Sequence, residues 1–473
     1  MKMLINGKET DSVSGKTAEV LSPATGEVID TVPVADEKDI DLSLSAAETA
    51  FRSWKETPLH ERASIMMKFV ELVRENRDSL ARTLSMDNGK PITQAEKEID
   101  NIFISVPAFT ERAKHIHNEM VPAGNEKNYE KSLQFVTREP VGIIVCIIPF
   151  NFPSNLFCQK VIPSLLMGNT CLVLPPSGNP LTVMNLSRLL TEAGVPAGVI
   201  NCVTAPGAVK EAAVRDRRIS LVTLTGSTET GIKTARAAAE NLVPTALELG
   251  GNDAFIVMDD ADMDIVIREL FVGRLINAGQ ICCASKRFLI HNSRIKEFTD
   301  RTIEYVKTLK MGDPLDRDTT LGCLINEKAA MEVEEQVKKT VAAGAKILTG
   351  GNRKGAFFEA TVLADVTRDM DIMKDMEVFG PVIPIIGFDT EEEAIDIANN
   401  TVYGLSGCVF SENYRKILRI ASAMESGNVV INGASNLRSF EIPFGGWKMS
   451  GIGTEGVMST FDEVTRVKVI TIK

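Results

Sequence analysis

The chain has 473 residues, of which 44% are hydrophobic and 24% are charged, a composition typical of a globular protein rather than a fibre or a disordered chain. At roughly 100 to 200 residues per domain, this length predicts two to four domains. There are 63 acidic against 52 basic residues, and the formal charge of −11 repels nucleic-acid phosphates and anionic membrane surfaces, so we expect neither as a partner.

The sequence predicts no targeting signal, disulfide or metal site. Residues 1–10 are polar and charged where a secretory signal needs an apolar stretch. The longest apolar run, Val141–Phe150, has about half of the ~20 residues of a membrane-spanning helix, so it predicts a buried strand in a cytoplasmic protein. The cysteines are scattered singly, apart from Cys282–Cys283. With four histidines and no C-x-x-C pair, we expect reduced thiols and no bound metal.

The first part of the chain predicts helices followed by a short arm. From Glu37 to about Ala113, apolar residues recur every three or four positions among charged ones, as in amphipathic helices. The next stretch, Asn118–Gln134, is polar and broken by Pro and Gly, and strand-like residues follow at Phe135–Thr137. We expect a hairpin-like excursion there, which could serve as an oligomer arm.

Short β-rich runs then alternate with helical runs from residue 141 to residue 260. Such alternation builds a parallel sheet with helices on both faces, a doubly wound nucleotide-binding architecture. The predicted strands are 142–148, 170–174, 199–203, 221–225, 246–249 and 254–257, and the predicted helices are 155–167, 181–193, 208–215 and 231–241.

A second alternating series predicts a second α/β domain. No linker separates the two series, so we expect closely packed domains with a cleft between them, where ligand sites are favoured. The β-branched run Thr465–Ile472 suits an edge strand that pairs with another chain. The predicted helices of this series are 265–278, 295–309 and 328–343, and the predicted strands are 287–291, 346–348, 382–388 and 429–432.

A glycine turn, Gly226–Gly231, joins the predicted strand 221–225 to a helix. This places backbone N–H groups and the positive end of a helix where a pyrophosphate would sit. The turn lacks the common G-x-G-x-x-G pattern, and such turns are also ordinary structure, so both interpretations stay open on this motif alone. The chain has no Walker-type motif, which argues against a P-loop nucleotidase.

Three residues could carry chemistry. Cys282 precedes the cations Lys286 and Arg287, which would lower the pKa of its thiol and favour the nucleophilic thiolate. Glu248 is flanked by leucines, where desolvation would raise its pKa towards the range of a general base. Asn151, on a Pro-bracketed turn, could hold an oxyanion. The alternatives are a buried small hydrophobe, a surface or capping carboxylate and a simple turn residue, respectively.

Six segments extend this pattern along the chain: PFNFP (149–153), GSTETG (226–231), ELGG (248–251), GQICC (279–283), EVFGPV (377–382) and PFGGWKMSGIGTEG (443–456). Together they resemble the aldehyde dehydrogenase superfamily from about Leu4 to Ile472, most closely its succinate-semialdehyde and lactaldehyde dehydrogenase branches. The resemblance implies an α/β fold with a doubly wound Rossmann-type cofactor domain, an α/β catalytic domain and a small β oligomerisation arm. The implied boundaries are 1–117 and 140–247 for the cofactor domain, 248–430 for the catalytic domain, 118–139 and 457–473 for the arm, and 431–456 for a returning segment along the cleft.

The resemblance implies an NAD(P)-dependent, non-acylating aldehyde dehydrogenase. Cys282 would attack the aldehyde carbon, and the Asn151 side chain with the Cys282 backbone N–H would hold the oxyanion. Hydride transfer to the nicotinamide would leave a thioester, and Glu248 would activate the water that hydrolyses it to a carboxylate. Lys160 matches a lysine near the adduct that could relay a proton.

The implied cofactor contacts are only partly present. The family's Lys-Pro-Ser-Glu, whose lysine and glutamate contact the adenosine ribose, is replaced by residues 175–178, Pro-Pro-Ser-Gly. Loss of the acid removes a repulsion against a 2′-phosphate and loss of the lysine removes an attraction for it, so NAD or NADP stays undecided. The candidate cofactor residues are Gly226 and Ser227 at the pyrophosphate, Glu377 at the nicotinamide ribose and Phe379 beside the nicotinamide, together with Pro149, Phe150, Ser177, Gly231 and Leu249.

The branch resemblance suggests succinate semialdehyde or another short polar aldehyde as substrate. Residue 159 is Gln, where several succinate-semialdehyde enzymes carry an arginine for the distal carboxylate. Arg438 lies where relatives acting on anionic aldehydes carry an arginine, and it could grip a carboxylate, phosphonate or sulfonate; a solvated loop arginine is the alternative. Gln159 and Cys283 are the other candidate substrate contacts. Cys283 is the less favoured nucleophile, because the family places the thiol two residues after the glutamine of G-Q-x-C.

Two further alternatives remain. One is a coenzyme A-acylating dehydrogenase or a thiol esterase that uses Cys282, and the other is a non-catalytic binding protein on the same fold. Glu248 favours hydrolysis, because a thioester without a nearby base would wait for a thiol acceptor. Similar proteins are dimers or tetramers built through an exchanged β-strand near the C-terminus, so we expect a homodimer or homotetramer.

Overall fold

Two large sheets and a three-stranded arm organise the chain in the computed structural model, which describes residues 1–473. The strands are β1 (Met3–Ile5), β2 (Lys8–Thr10), β3 (Thr17–Leu21), β4 (Val28–Pro33), β5 (Glu119–Val121), β6 (Leu133–Pro140), β7 (Ile143–Ile147), β8 (Thr170–Leu174), β9 (Ile200–Cys202), β10 (Ile219–Thr225), β11 (Thr245–Glu248), β12 (Asp253–Val257), β13 (Ser285–His291), β14 (Lys346–Thr349), β15 (Arg353–Lys354), β16 (Phe357–Phe358), β17 (Thr361–Ala364), β18 (Val382–Phe388), β19 (Tyr403–Gly404), β20 (Ser406–Phe410), β21 (Asn428–Ile431), β22 (Trp447–Lys448), β23 (Gly451–Ile452) and β24 (Thr465–Ile472).

Fifteen α-helices cover and connect these strands. They are α1 (Glu37–Trp54), α2 (Leu59–Glu75), α3 (Arg77–Asn88), α4 (Ile92–Asp100), α5 (Ile102–Ala113), α6 (Pro153–Leu166), α7 (Leu181–Ala193), α8 (Gly207–Val214), α9 (Thr228–Ala239), α10 (Met263–Leu270), α11 (Ile295–Lys307), α12 (Glu327–Ala342), α13 (Glu391–Asn399), α14 (Tyr414–Ala423) and α15 (Val457–Glu463). None of the helices combines the length and the apolar character needed to cross a bilayer.

The first sheet has the order β2-β1-β9-β8-β7-β10-β11-β23. Strands β9, β8, β7, β10 and β11 are parallel, while β1 and β23 join antiparallel to β9 and β11, so the sheet is mixed rather than purely parallel. The chain winds outwards from β7 through β8 to β9, and then in the other direction from β10 to β11. The strand order therefore reverses between β7 and β10, and the carboxyl ends of these strands are where a doubly wound sheet binds its ligand.

The second sheet has the order β14-β17-β18-β13-β12-β20-β21 and is parallel except for β14. Its core includes a cluster of four aromatic rings, Phe255, Phe288, Phe298 and Phe410. These strands are buried on both faces, which explains why they appear in the sequence as continuous apolar runs. The predicted α/β architecture is confirmed.

A three-stranded sheet of order β24-β6-β5 forms the arm. β24 pairs antiparallel with β6 along its whole length, from Thr465 opposite Pro140 to Ile472 opposite Leu133. The hairpin-like excursion predicted after α5 is therefore present, and β6 is longer than the three residues predicted. As an edge strand, β24 leaves one row of backbone groups unpaired, and its apolar side chains Val467, Val469 and Ile472 are exposed.

The helix predicted over 265–278 is wrong in its second half. The α-helix ends at Leu270, and a π-helical turn, Phe271–Leu275, and a 3₁₀ turn, Ile276–Gly279, follow it. Asn277 and Ala278 have φ of 51° and 52°, in the left-handed region. Gly279 packs so closely that an added Cβ would lie 2.4 Å from the Gly380 carbonyl oxygen. This close approach leaves no room for a side chain at residue 279, although the apolar periodicity of the sequence continues through the segment.

The N-terminal residues and the start of α9 also differ from expectation. Sequence analysis assigned no elements before Glu37, whereas β1 to β4 lie there. The helix after the glycine turn begins at Thr228 instead of 231, because the Ser227 side chain caps it by accepting from the Thr230 N–H at 3.3 Å.

Candidate active site

A cleft of about 490 Å³ lies at the carboxyl ends of β7 and β10, between the two large sheets. The PFNFP turn follows β7, and the glycine turn follows β10 on the same side. The segments after β11 and before β13 form the opposite wall. The predicted residues that line the cleft are Pro149, Phe150, Asn151, Gly226, Ser227, Cys282, Glu377 and Phe379.

Four of the other predicted residues lie buried behind the wall of the cleft. They are Glu248, Lys160, Gln159 and Cys283. Ser177 is exposed, beside the wall residue Pro176.

Gly231 and Leu249, the remaining cofactor candidates, are not among the residues that line the cleft. A Cβ on Gly231 would lie 2.5 Å from Leu249 Cδ2, so this pair packs α9 closely against the end of β11. The close contact between helix and strand explains why residue 231 is a glycine. The α9 N-terminus reaches the cleft through Gly226 and Ser227 instead.

Three asparagine side chains and a buried lysine hold the PFNFP turn through its backbone. The Phe150 carbonyl oxygen accepts from Asn88 Nδ2 at 2.7 Å and from Asn179 Nδ2 at 2.8 Å. The Asn151 carbonyl oxygen accepts from Lys90 Nζ at 2.7 Å and from Asn277 Nδ2 at 3.0 Å. These contacts saturate both carbonyls and fix the direction of the Asn151 side chain.

Lys90 is itself paired with Glu98, and both side chains are 1% exposed. Glu98 also accepts from the backbone N–H of Ser154 at 3.0 Å and from its hydroxyl at 2.7 Å. The Lys90–Glu98 pair thus ties both ends of the turn to α4. Sequence analysis missed this pair. The available signal was Glu98 itself, a carboxylate beside Ala95 and Ile99 on the buried face of α4.

Cys282 is partly exposed in the cleft, and its pKa is lowered to about 7. The main cause is a hydrogen bond from the Cys283 thiol; the charges of Lys286 and Arg438 lower the pKa further against the opposing effect of burial. The same hydrogen bond raises the pKa of Cys283 well above its ordinary value, so Cys283 stays a thiol at neutral pH. The thiol of Cys282 therefore ionises more readily than that of Cys283.

Lys286 connects Cys282 to the cofactor candidate Glu377. Its Nζ donates to the Cys282 carbonyl oxygen at 2.5 Å and lies 3.1 Å from Glu377 Oε1. Glu377 Oε1 also accepts from the Gly251 N–H at 3.2 Å. Phe379 lies edge-on to Phe150 with 5.9 Å between ring centroids, so aromatic groups from both walls meet across the cleft.

Asn151 and Glu248 retain free hydrogen-bonding capacity. Asn151 Nδ2 donates one hydrogen to the Gln280 carbonyl oxygen at 3.1 Å, which leaves its second N–H for a ligand. Glu248 is buried, and its Oε1 has no partner. Burial, followed by the nearby charge of Glu455, raises the pKa of Glu248 well above its ordinary value.

Glu455 links Lys160 to Arg438 and was missed by sequence analysis, because a glutamate in a glycine-rich segment gives no sign of burial. Lys160 Nζ donates to Glu455 Oε1 and, at 3.2 Å, to the Thr223 hydroxyl. Arg438 Nη2 is 3.4 Å from Glu455 Oε2. The Arg438 side chain is 16% exposed, its guanidinium lies 4.2 Å from the centroid of the Phe444 ring, and its buried Nε has no partner. Arg438 is thus not a solvated loop residue.

Comparisons with known proteins agree with this geometry. A sequence model of the aldehyde dehydrogenase family matches residues 10–470. The chain is 36% identical over 471 residues to the glutarate-semialdehyde dehydrogenase of Pseudomonas putida, covering 99% of this chain and 97% of the relative. It is 34% identical over 474 residues to the NADP(+) succinate-semialdehyde dehydrogenase of Escherichia coli (strain K12), covering 99% and 97%. The crystal structure of betaine aldehyde dehydrogenase from Staphylococcus aureus in complex with NAD+ matches with a TM-score of 0.96 at 32% identity, over 99% of this chain and 94% of that one.

Proposed function

The chain belongs to the aldehyde dehydrogenase family, whose members oxidise aldehydes with NAD or NADP, and we propose that it converts a short anionic semialdehyde, such as succinate semialdehyde, to the dicarboxylate through a thioester on Cys282. The observation that carries the proposal is the lowered pKa of Cys282 in a cleft that also contains the free Asn151 N–H, with the guanidinium of Arg438 close enough to act on the thiol. An anionic aldehyde would meet a nucleophile, an oxyanion donor and a cation in one site.

In the proposed reaction, the Cys282 thiolate attacks the aldehyde carbon. The free N–H of Asn151 and the Cys282 backbone N–H stabilise the oxyanion of the tetrahedral adduct. Asn151 is kept in place during this step by the contacts that its turn makes with Lys90, Asn277, Asn88 and Asn179. The oxyanion donor therefore needs little reorganisation when the negative charge develops. The product of the oxidation is a thioester, which water must then open.

Glu248 is the proposed base for the hydrolysis. Its raised pKa makes its ionised form a stronger base than an ordinary carboxylate, and its unpartnered Oε1 can accept the proton of a water molecule. Glu455, Arg438 and Lys160 lie close enough to act on the charge of Glu248. This base favours hydrolysis over transfer to coenzyme A.

The cleft fits a dinucleotide along its length. The N-terminus of α9 at Ser227 offers backbone N–H groups to a pyrophosphate, and Glu377 offers a carboxylate to ribose hydroxyls. Phe150 and Phe379 provide apolar surface near Cys282. When bound there, the nicotinamide would accept a hydride from the substrate.

Arg438 is the proposed contact for the distal anionic group. Its distance of 3.4 Å to Glu455 is long for a charge-assisted hydrogen bond, and its Nε has no partner, so the guanidinium keeps donors for a second carboxylate. The curated relatives described above are named for succinate and glutarate semialdehydes, which both carry a carboxylate at the end opposite the aldehyde. Gln159 and Cys283 remain the other proposed substrate-side residues.

We also propose a division of labour between the parts of the chain. Residues 1–117 and 140–247 would bind the cofactor, residues 248–430 would carry the nucleophile, and residues 431–456 would close the cleft with Arg438 and Glu455. The arm, 118–139 and 457–473, would pair with a second copy through the free edge of β24 to form a homodimer or homotetramer.

The test is cofactor reduction by succinate semialdehyde in the absence of coenzyme A, followed at 340 nm with NAD and with NADP. We expect turnover with water as the only acyl acceptor, and the Cys282→Ala variant to be inactive. Strict dependence on coenzyme A would favour an acylating enzyme. Unchanged turnover by Cys282→Ala, or ester hydrolysis without any aldehyde oxidation, would overturn the proposed mechanism.

A further inference from the structure

Residues 175–178 lack any charged side chain, but the fold brings a lysine from elsewhere to this position. Lys210 lies on α8, and its Nζ donates to the Pro175 carbonyl oxygen at 2.6 Å. Pro175 directly follows β8, and the next residue, Pro176, lines the cleft. The ammonium of Lys210 is therefore bonded to the residue that directly precedes a residue of the cleft wall.

The sheet topology identifies what this end of the cleft would hold. β8 and β9 are neighbours in the first sheet, and Pro175 and α8 follow their carboxyl ends. A dinucleotide in such a sheet lies across the carboxyl ends of the strands, with its pyrophosphate at the helix N-terminus near the switch point. With the pyrophosphate at Ser227 and the reacting ring at Cys282, the remaining half, the adenosine, would lie towards β8 and β9.

Lys210 has no carboxylate partner, although its surroundings contain acids. Glu211 pairs with Arg215 at 2.6 Å, and Glu229 pairs with Lys233 at 2.6 Å. Burial lowers the pKa of Lys210 to about 8, and the Cys202 thiol is the one ionisable group that opposes this. The ammonium is thus partly buried beside a cleft without a counter-ion, and an anionic ligand would stabilise its charged form.

We propose that Lys210 binds the 2′-phosphate of NADP and makes this enzyme prefer NADP to NAD. The inference rests on the proposed placement of the cofactor in the cleft. After its bond to Pro175, the ammonium retains two N–H donors for phosphate oxygens. The segment 175–178 presents no acid that would repel the phosphate. Lys210 thereby supplies, from a different helix, the positive charge that this segment lacks.

The experiment measures binding rather than turnover. Isothermal titration calorimetry would compare NADP with NAD, and adenosine 2′,5′-bisphosphate with adenosine 5′-monophosphate, on the wild-type protein and on Lys210→Met. We expect the variant to lose at least about tenfold in affinity for the two 2′-phosphorylated ligands and less than about twofold for the other two. Lys210→Arg should keep most of the preference. Lys233→Met, which removes a neighbouring exposed lysine from α9, is the matched control and should change none of the four affinities.

Two other outcomes of the calorimetry would contradict the role of Lys210. Equal weakening of all four ligands would show that Lys210 contacts the shared ribose or supports the loop, and would overturn the proposal. Unchanged affinities would place Lys210 outside the site, with the same consequence. Retained NAD binding by Lys210→Met shows that the variant is folded. If the wild-type protein binds neither dinucleotide while Cys282 still reacts with aldehydes, the cofactor part of the proposed function fails instead.

Discussion

Replacement of Lys90 by Met removes a buried ammonium while keeping most of the side-chain volume. In the wild-type protein the Lys90 and Glu98 side chains are each 1% exposed, so their charges have little contact with water. The variant leaves Glu98 without its counter-ion in this environment. Breaking a buried ion pair by removal of one partner costs about 3–5 kcal/mol. We expect the free energy of unfolding to fall by this amount, with little cavity cost because the methionine can still pack on the Phe152 ring.

The same substitution should slow the reaction. The Asn151 carbonyl oxygen would keep the Asn277 donor at 3.0 Å and lose the Lys90 donor at 2.7 Å. A displacement of the Asn151 amide by about 1 Å can cost about 100-fold in rate. Because this amide would act on charge that develops after substrate binding, we expect kcat to fall much more than KM rises.

The assay is urea-induced unfolding together with steady-state kinetics. Lys233→Met is the matched control, since the Lys233–Glu229 pair is exposed, with side chains 62% and 78% accessible, and should lose less than about 1 kcal/mol. Adding Glu98→Gln to Lys90→Met removes the unpaired charge and keeps an oxygen for Ser154, so stability should recover in part while kcat stays low. A Lys90→Met variant as stable as the control, with normal kcat, would show that the Lys90–Glu98 pair neither stabilises the fold nor positions Asn151.

Three further changes test the site. Arg438→Ala should raise KM for succinate semialdehyde by about 10- to 100-fold and KM for butanal only slightly, because one charged hydrogen-bonded contact is lost. Equal effects on both aldehydes would show that Arg438 does not bind the distal carboxylate. Glu248→Gln should lower kcat by about 10²- to 10⁴-fold and leave one rapid equivalent of reduced cofactor per site, seen in stopped-flow traces; loss of the burst would instead assign Glu248 to the first step. The rate at which iodoacetamide alkylates Cys282 should be at its maximum above pH 7 and should fall as the pH drops through about 7. Cys283→Ala should move this midpoint to higher pH, because the hydrogen bond that lowers the pKa of Cys282 is lost. An unmoved midpoint would show that this hydrogen bond does not lower the pKa.

Regular elements with a strong hydrophobic pattern could be predicted from the sequence. The bounds of β8, α7 and β18 match the predicted ones, because two-sided burial or an amphipathic face determines the residue types throughout each element. The bounds of β24 also match, because its β-branched residues favour a strand although most of them are exposed. The segment 271–279 could not be predicted in this way. Its apolar spacing suits a helix, but the α-helix ends at Leu270, Asn277 and Ala278 adopt left-handed backbone, and Gly279 packs against the Gly380 carbonyl. Tertiary packing overrides the local pattern there.

The candidate site divides in the same way. Cys282, Asn151 and Glu377 stand in short motifs, so the sequence could indicate them and the structure needed only to bring them to one cleft. Lys90 and Asn151 are 61 residues apart, and Lys160 and Glu455 are 295 residues apart. Lys210, on α8, contacts Pro175, which follows β8. The pairing itself carries no local signal, since the two members lie far apart in the sequence. Their partners become visible only once the strand order is known.

The two titratable groups proposed for the chemistry are shifted in opposite directions, which fits their order of use. Cys282 has a lowered pKa, which favours its thiolate, while Glu248 has a raised pKa, which favours its neutral form, so the two shifts oppose the presence of two negative charges in one site. After burial and Glu455, the thiolate of Cys282 is one of the causes that raise the pKa of Glu248. Formation of the thioester removes that negative charge. We expect the pKa of Glu248 to fall at that point, because one of the causes that raise it is gone, so its ionised form becomes more available at the step in which water attacks.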